Sequence, residues 1–146
     1  MEHYASGHCP PSSEHPFKHP NHRCVLIVED DGLSRYLLRM ALENQGYQCL
    51  EAENGLRGLE KLLVHRVDAV ISDQQMPVMN GIDFIKELHA RYAESSPPVI
   101  LVSGNDGFPL HKLAEELGVS ACFEKPYHLE TLLHAVAKMT KKPLSL

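Results

Sequence analysis

From residue 24 onward, short uninterrupted apolar runs alternate with stretches of helical periodicity. Runs of this length are typical of strands that are buried on both faces of a sheet. The predicted strands lie at residues 24–28, 47–53, 69–73, 99–102 and 121–124, and a predicted helix follows each of them. This alternation predicts an α/β three-layer sandwich, in which a five-stranded parallel sheet lies between two layers formed by five helices. The carboxyl ends of such strands share one edge of the sheet, where ligands bind.

Apolar spacing also predicts which side of each helix is buried. Residues spaced by three and four positions share one side of a helix. In the first helix this side carries Leu33, Tyr36, Leu37, Met40 and Ala41. In the second helix, which Asn54 can cap, it carries Leu56, Leu59 and Leu63, and in the third it carries Phe84, Ile85, Leu88 and Tyr92.

With 146 residues, of which 43% are hydrophobic, the chain suits one domain with its own core. Its formal net charge is −5, and no cluster of lysine and arginine stands out, which argues against direct nucleic-acid binding. The sequence contains no apolar stretch long enough to span a bilayer and no apolar signal near its start. We therefore expect a cytoplasmic protein that does not bind membranes.

Residues 1–23 are rich in histidine and proline and contain almost no aliphatic side chains. Such a segment buries too little apolar surface to offset the entropy lost on ordering, so we predict a flexible tail. Metal binding by His15, His19 and His22, together with Cys9, is an alternative, but a histidine tract without a fixed ligand framework is a weak signal. The domain itself is predicted at residues 24–142, and residues 143–146 form the C-terminal end.

Charged and hydroxyl side chains stand where the predicted strands end. Glu29 and Asp30 follow the first strand, Asp73 ends the third, and Ser103 and Lys125 follow the fourth and the fifth. Taken singly, these are ordinary residues: a turn cap, a helix cap and a solvated lysine. At a common edge, the carboxylates would repel one another unless a cation lay among them, and Mg²⁺ fits oxygen ligands of this kind. A carboxylate beside such an ion can attack a phosphorus atom and form an acyl phosphate.

Four motifs, in this order, resemble the receiver domain of two-component response regulators over residues 24–142. They are Val28-Glu29-Asp30-Asp31, Asp73 with Met76-Pro77 and Gly81, Ser103-Gly104, and Lys125-Pro126. The resemblance implies a flavodoxin-like fold with strand order 2-1-3-4-5.

The resemblance further implies a phosphoacceptor and a metal site. Asp73 would take a phosphoryl group from a phosphohistidine of a histidine kinase or of a histidine phosphotransfer protein. Asp30 and Asp73 would bind Mg²⁺ directly, together with the backbone carbonyl of Gln75. Glu29 would act on the ion through water.

Three more residues have a role that the resemblance implies. Ser103 would hydrogen-bond the phosphoryl group and move toward it on activation. Lys125 would pair with a phosphoryl oxygen. Pro126 would follow a cis peptide bond that aims the lysine, and cis bonds are essentially confined to proline.

The sequence departs from the family at two positions. Cys122 stands where the fifth strand usually carries an aromatic switch residue, and the neighbouring Phe123 is predicted to point to the opposite face. His128 stands where a capping residue commonly opens the last helix. Gln75 and Asn105 occupy positions that influence how fast the family loses its phosphoryl group.

We expect a stand-alone phosphoacceptor that signals by protein–protein contact through its fourth helix, fifth strand and fifth helix, because no output domain follows in the sequence. It would catalyse its own phosphorylation and dephosphorylation and would not be an enzyme acting on other substrates. One alternative is a phosphorelay intermediate without conformational output, which Cys122 favours. Another is an aspartate-nucleophile phosphatase, but that class usually carries an aspartate where this chain has Gln75. A receiver-like domain that binds partners without phosphorylation is disfavoured, because every expected site residue is present.

Overall fold

The computed structural model describes residues 22–104 and 109–141. Within them, the strands are Cys24–Val28 (β1), Gln48–Ala52 (β2), Ala69–Asp73 (β3), Val99–Ser103 (β4) and Ala121–Glu124 (β5). The helices are Gly32–Asn44 (α1), Gly55–Val64 (α2), Gly81–Tyr92 (α3), Leu110–Leu117 (α4) and Leu129–Thr140 (α5), with a 3-10 turn at Ala93–Ser95. Several predictions lie outside the described residues: positions 1–21 of the predicted tail, the metal-binding alternative at Cys9, His15 and His19, the amide Asn105 and the end at 143–146.

The strands form a parallel sheet in the order β2-β1-β3-β4-β5, which confirms the predicted α/β fold and its flavodoxin-like strand order. The chain runs outward from β1 to β2 and then crosses to the other side of β1 to form β3. The register places Val28 beside Ser72 and Asp73 beside Val102. A crevice at the carboxyl ends of β1 and β3, where the strand order reverses, is therefore the expected place for a ligand.

Apolar side chains fill both faces of the sheet. One cluster joins the sheet to α2, α3 and α4, and the other joins it to α1 and α5. The inward face predicted for α3 is confirmed, because Phe84, Ile85 and Leu88 are fully buried and Tyr92 packs against the same cluster. Burying one side chain of this size stabilises the fold by about 2 kcal/mol, so the two clusters hold the strand ends in place.

The buried face of α1 is not the one that apolar spacing predicted. Leu33 is 66% exposed and Leu37 is 55% exposed, and Tyr36 and Met40 are exposed as well. The helix instead buries Leu38 and Leu42 against β1 and α5. The prediction was wrong because apolar spacing favours the side of a helix that carries more apolar residues, and in α1 that side is exposed.

Ion pairs to β2 explain the orientation of α1. Arg35 Nε lies 2.8 Å from Glu51 Oε1, and Arg39 Nη1 lies 2.5 Å from Glu51 Oε2. Both arginines share a helix face with Leu38 and Leu42, since the four residues are spaced by three and four positions. Pairing with Glu51, together with burial of Leu38 and Leu42, therefore favours the orientation in which this face packs on the sheet and the apolar stripe is exposed.

The buried face of α2 also differs in part from the predicted one. Leu59 is buried as predicted, but Leu56 and Leu63 are exposed. The face toward the core carries Gly55 and Gly58, where an added Cβ would lie 2.8 Å from Phe84 Cβ and 3.0 Å from Phe84 Cε1, respectively. Because these glycines have no side chain, α2 packs closely on α3, and a pattern that counts apolar side chains does not detect such a face.

Side-chain caps open the first three helices, and the predicted cap at Asn54 is confirmed. The Asp31, Asn54 and Asn80 side chains accept hydrogen bonds from backbone N–H groups within the first turns of α1, α2 and α3, each at 2.9 Å. His128, which precedes α5, makes no side-chain cap hydrogen bond. The first N–H groups of α5 therefore lack the side-chain partner that those of α1, α2 and α3 have.

Replacing His128 with aspartate is expected to raise the free energy of unfolding by about 1 kcal/mol. An aspartate oxygen can accept a hydrogen bond from the first turn, and its charge is favourable at a helix N-terminus. Urea denaturation measures the change, with His128→Ala as the control that supplies no cap. An aspartate variant no more stable than the alanine variant would contradict this prediction.

Candidate functional site

The carboxyl ends of β1 and β3 bring three acidic side chains together. Glu29 and Asp30 directly follow β1, and Asp73 is the last residue of β3. Each offers a carboxylate oxygen, and these oxygens all lie within 4.8 Å of one another. Glu29 and Asp73 are buried, whereas Asp30 is exposed. The predicted acidic cluster is therefore present and opens to solvent on one side.

The ammonium group of Lys125 reaches this cluster from the end of β5. Its Nζ lies 3.2 Å from Asp73 Oδ1 and 3.5 Å from Glu29 Oε1. The backbone N–H of Lys125 donates to the Ser103 carbonyl at 2.8 Å, which ties the lysine to the end of β4. The peptide bond between Lys125 and Pro126 is cis, as the resemblance implied.

Burial and the charges of neighbouring side chains shift the pKa values of Asp73 and Lys125 in opposite directions. Burial raises the pKa of the Asp73 carboxyl, and the nearby Lys125 ammonium opposes this rise. Burial likewise raises the pKa of Glu29, against a backbone hydrogen bond from Asp31 and with a further contribution from the Asp73 charge. Burial would lower the pKa of Lys125, but the Asp73 and Glu29 carboxylates outweigh it and raise that pKa. The acids are thus held close together at a cost, which a bound cation would relieve.

The donor set fits Mg²⁺. Three carboxylate oxygens within 4.8 Å of one another are hard ligands, and Mg²⁺ is usually held by one or two carboxylates with waters and phosphate completing its shell. Gln75 is exposed in the loop that follows Asp73. The individual roles in binding Mg²⁺ stay predictions: direct contact by Asp30, Asp73 and the Gln75 carbonyl, and contact through water by Glu29.

The turn after Asp73 depends on Gly81, the first residue of α3. Its N–H donates to the Gln74 carbonyl at 2.8 Å. An added Cβ would lie 2.1 Å from the Asp73 carbonyl oxygen and 2.9 Å from Gln74 Cα. Gly81 has no positive φ, so the reason for glycine is this close approach and not an unusual backbone conformation. The positive φ in this loop belongs to Val78, at 70°.

Ser103 lies at the end of β4, and its hydroxyl group has a partner that the sequence did not indicate. The Ser103 hydroxyl donates to the Gln74 side-chain oxygen, and the Gly104 carbonyl is a second acceptor at 2.9 Å. Both Ser103 and Gln74 are buried. One signal could have identified Gln74, namely an amide directly after a buried strand, where a loop would be expected to turn toward solvent.

Cys122 and Phe123 point to opposite faces of the sheet, as predicted. Cys122 packs against the cluster that joins the sheet to α2, α3 and α4. Phe123 packs against the other cluster and contacts Tyr127, with ring centroids 6.2 Å apart. The Cys122 thiol and the Phe123 ring therefore lie on opposite sides of β5, and the switch role of position 122 stays a prediction.

A cavity of about 610 Å³ extends from the acidic cluster toward α1 and the start of α5. Glu29, Asp73 and Lys125 form its polar end, while Leu37 and Tyr127 belong to its apolar part. Sequence reasoning did not select Leu37 or Tyr127 for this place. Leu37 lies on the exposed side of α1, and Tyr127 directly follows Pro126, which also lines the cavity.

A family model described as the response regulator receiver domain matches residues 25–137. The chain belongs to this family. The receiver domain is 31% identical over 114 residues to the sporulation initiation phosphotransferase F of Bacillus subtilis (strain 168), covering 78% of this chain and 90% of that relative. It is 35% identical over 120 residues to the autoinducer 1 sensor kinase/phosphatase LuxN of Vibrio campbellii, covering 81% of this chain and 14% of that relative.

The fold of the receiver domain also matches solved structures. The chemotaxis response regulator CheY4 of Vibrio cholerae aligns with a TM-score of 0.72 at 28% identity, covering 81% of this chain and 98% of that structure. Receiver domains interact with histidine kinases or with phosphotransfer proteins, so the coarse class of partner follows from the family. Among the described residues, no helix is long and apolar enough to cross a membrane.

Proposed function

We propose that this receiver domain takes a phosphoryl group from a phosphohistidine onto Asp73 in a Mg²⁺-dependent reaction and signals by protein–protein contact. One observation carries the proposal: the Lys125 ammonium and the Glu29–Asp30–Asp73 cluster meet at one carboxylate, 3.2 Å from Nζ to Asp73 Oδ1. The donor would be a histidine kinase or a histidine phosphotransfer protein. The reaction would take place in the cytoplasm, without direct binding of nucleic acid or membrane.

In the transfer, an Asp73 carboxylate oxygen forms a bond to phosphorus while the bond between phosphorus and the donor imidazole nitrogen breaks. The electron pair of the broken bond stays on that nitrogen, and the other ring nitrogen of the donor carries a proton, so that the leaving group is a neutral imidazole. Asp73 must be ionised to attack, and Lys125 favours this form against the effect of burial. Catalysis of phosphoryl transfer is mainly positioning and charge stabilisation, which these residues supply.

Asp30, Asp73 and the Gln75 carbonyl would hold Mg²⁺, and Glu29 would contact it through water. When bound, the ion would neutralise charge at the phosphoryl oxygens. Glu29 and Asp30 contribute about −2 and the phosphoryl group about −2, against +1 from Lys125, so the site would carry about −3 without the ion and about −1 with it. This difference supports metal dependence.

After transfer, Lys125 would pair with a phosphoryl oxygen, and Ser103 would hydrogen-bond another. Phosphorylation would then shift an existing equilibrium between two surface arrangements, by no more than the difference in its interaction with each. The expected docking face consists of α4, β5 and α5. The downstream protein would read that face.

A phosphorelay intermediate is the second candidate, because Cys122 lies among apolar side chains where a switch ring would stand. A thiol is too small to exchange between buried and exposed positions as a ring does. A relative named as a phosphotransferase, covered over 90% of its length, supports the same alternative. A domain of either kind would act on no substrate other than its own phosphoryl group.

Incubation with Mg²⁺ and acetyl phosphate, followed by intact-mass measurement, tests the proposal. A single phosphoryl adduct that forms with Mg²⁺ and fails to form with a chelator is the expected result. Steady release of phosphate over many turnovers would instead favour an aspartate-nucleophile phosphatase. The absence of any adduct with Mg²⁺ would overturn the proposal.

Replacing Lys125 with methionine is expected to slow phosphoryl acceptance about 10²-fold, because the ammonium that faces Asp73 and the incoming phosphoryl oxygens is lost. The adduct is followed by intact mass over time in Mg²⁺ and acetyl phosphate. Lys86→Met is the matched control, because Lys86 is exposed on α3. Equal rates for the two variants would show that the charge of Lys125 does not assist the transfer.

A further inference from the structure

The Ser103 hydroxyl group is engaged by groups other than Asp73. It donates to the Gln74 side-chain oxygen, and the Gly104 carbonyl is its other acceptor. A hydroxyl group has one proton to donate, so these two oxygens compete for it. Ser103 is 2% exposed and Gln74 is 5% exposed, which shields their contact from water. The structure therefore shows Ser103 held in one arrangement by a neighbouring side chain.

The backbone of Gln74 is fixed on both sides, which fixes the origin of its side chain. Its N–H donates to the Val102 carbonyl at 2.8 Å, and its carbonyl accepts from Gly81 N–H at 2.8 Å. A buried amide that loses its partner is costly, because no water replaces the hydrogen bond. Gln74 is thus a rigidly placed acceptor and not an adaptable surface residue.

We propose that Gln74 is a positioning residue that holds Ser103 in the unphosphorylated arrangement and sets how readily Ser103 turns to a phosphoryl group on Asp73. This inference rests on the proposed function, in which Ser103 contacts that group. Ser103 cannot donate its proton to a phosphoryl oxygen while it donates to Gln74. The hydrogen bond to Gln74 must therefore break first, and its free energy opposes the change.

The test uses beryllium fluoride with Mg²⁺ as a phosphoryl mimic and measures its equilibrium affinity for the full chain. In Gln74→Met, which has a similar length but a weak acceptor, the affinity is expected to rise about 3- to 10-fold, the equivalent of one ordinary hydrogen bond. In Gln74→Glu, which keeps an acceptor oxygen at the same reach, no such rise is expected. Gln74→Met in a Ser103→Ala background is expected to change the affinity less than about twofold, because there is no hydroxyl group to hold.

A general loosening of the site would act with or without the Ser103 hydroxyl group, so an equal rise in both backgrounds would overturn the inference. An unchanged affinity in Gln74→Met would overturn it as well.

Gln74→Asn is the second variant if the methionine variant does not fold. Its amide oxygen falls one methylene short of Ser103, so the same rise in affinity is expected. If the wild-type protein binds no beryllium fluoride and forms no phosphoryl adduct, the proposed function itself fails. If the wild-type protein binds beryllium fluoride and forms the adduct, and the Gln74 variants bind beryllium fluoride with the wild-type affinity, only the inference about Gln74 fails.

Discussion

Asp73→Asn is expected to abolish phosphoryl acceptance and, in the absence of metal, to make the fold more stable. The loss of acceptance follows because an amide has no anionic oxygen to attack phosphorus. The gain in stability follows because burial raises the pKa of the Asp73 carboxyl, despite the opposing charge of Lys125. Lys125 keeps a partner in the variant, since Glu29 Oε1 lies 3.5 Å from its Nζ.

The pH dependence of this gain has a definite sign. A carboxyl whose pKa is higher in the folded than in the unfolded state stabilises the fold below the unfolded pKa, and this stability is lost as pH rises through the folded pKa. The Asp73→Asn variant has no carboxyl group at this position, so it does not lose this stability as the pH rises. Its advantage over the wild type should therefore be absent at acid pH and grow toward neutral pH.

Urea denaturation from acid to neutral pH without metal measures the gain, and intact mass after acetyl phosphate treatment measures acceptance. Asp83→Asn is the matched control, because Asp83 is exposed in the first turn of α3 and outside the cluster. Mg²⁺ should stabilise the wild type more than Asp73→Asn, because an ion that binds only the folded state adds to its stability. A phosphoryl adduct on Asp73→Asn would contradict the assignment of Asp73 as the phosphoacceptor. Stability equal to that of the wild type at neutral pH would contradict the raised pKa of the Asp73 carboxyl.

Gly81→Ala is expected to lower the free energy of unfolding by about 3 kcal/mol and to slow phosphoryl acceptance about 10²-fold. The added Cβ would lie 2.1 Å from the Asp73 carbonyl oxygen, 2.9 Å from Gln74 Cα and 3.0 Å from the Asp73 carbonyl carbon. All three atoms belong to the backbone, so no side-chain rotation relieves the overlap. The end of β3 must shift, and the Asp73 carboxylate shifts with it.

Gly32→Ala is the matched control for this effect. Gly32 is the first residue of α1, and an added Cβ there would meet only the far end of Arg35, at 3.9 Å. The control should be neutral or slightly stabilising, because alanine is the better helix former. Urea denaturation and the acetyl phosphate assay on both variants give the comparison. A Gly81 variant as stable and as active as the Gly32 variant would show that the turn after Asp73 tolerates a side chain.

Sequence patterns predicted the element types well and the helix faces less well. The strand runs were recognisable because a strand buried on both faces needs an unbroken apolar run, as in β1 and β4. The inward face of α3 followed from spacing because large apolar residues lie on one side only. In α1 and α2 the inward faces carry arginines or glycines, which a search for apolar side chains passes over.

The candidate site could be predicted at the level of residue type and position along the chain. Glu29, Asp30, Asp73, Ser103 and Lys125 were selected because polar residues end strands that must share one edge. Gln74 was missed because its importance depends on a contact with Ser103, 29 positions away in the chain. Tyr127 was missed because its place beside the cavity depends on the turn that follows Lys125.

By itself, the sequence determined that this chain forms a parallel α/β sheet and that acids, a hydroxyl group and an ammonium group stand at the strand ends. Local periodicity and turn chemistry are enough for that, because they act within a few residues of the chain. The tertiary structure alone decided which face α1 turns to the sheet, which atoms limit Gly81 and which side chain holds the Ser103 hydroxyl group. Those outcomes depend on distances between segments far apart in the chain, and such distances are set when the strands pair and the two helical layers pack.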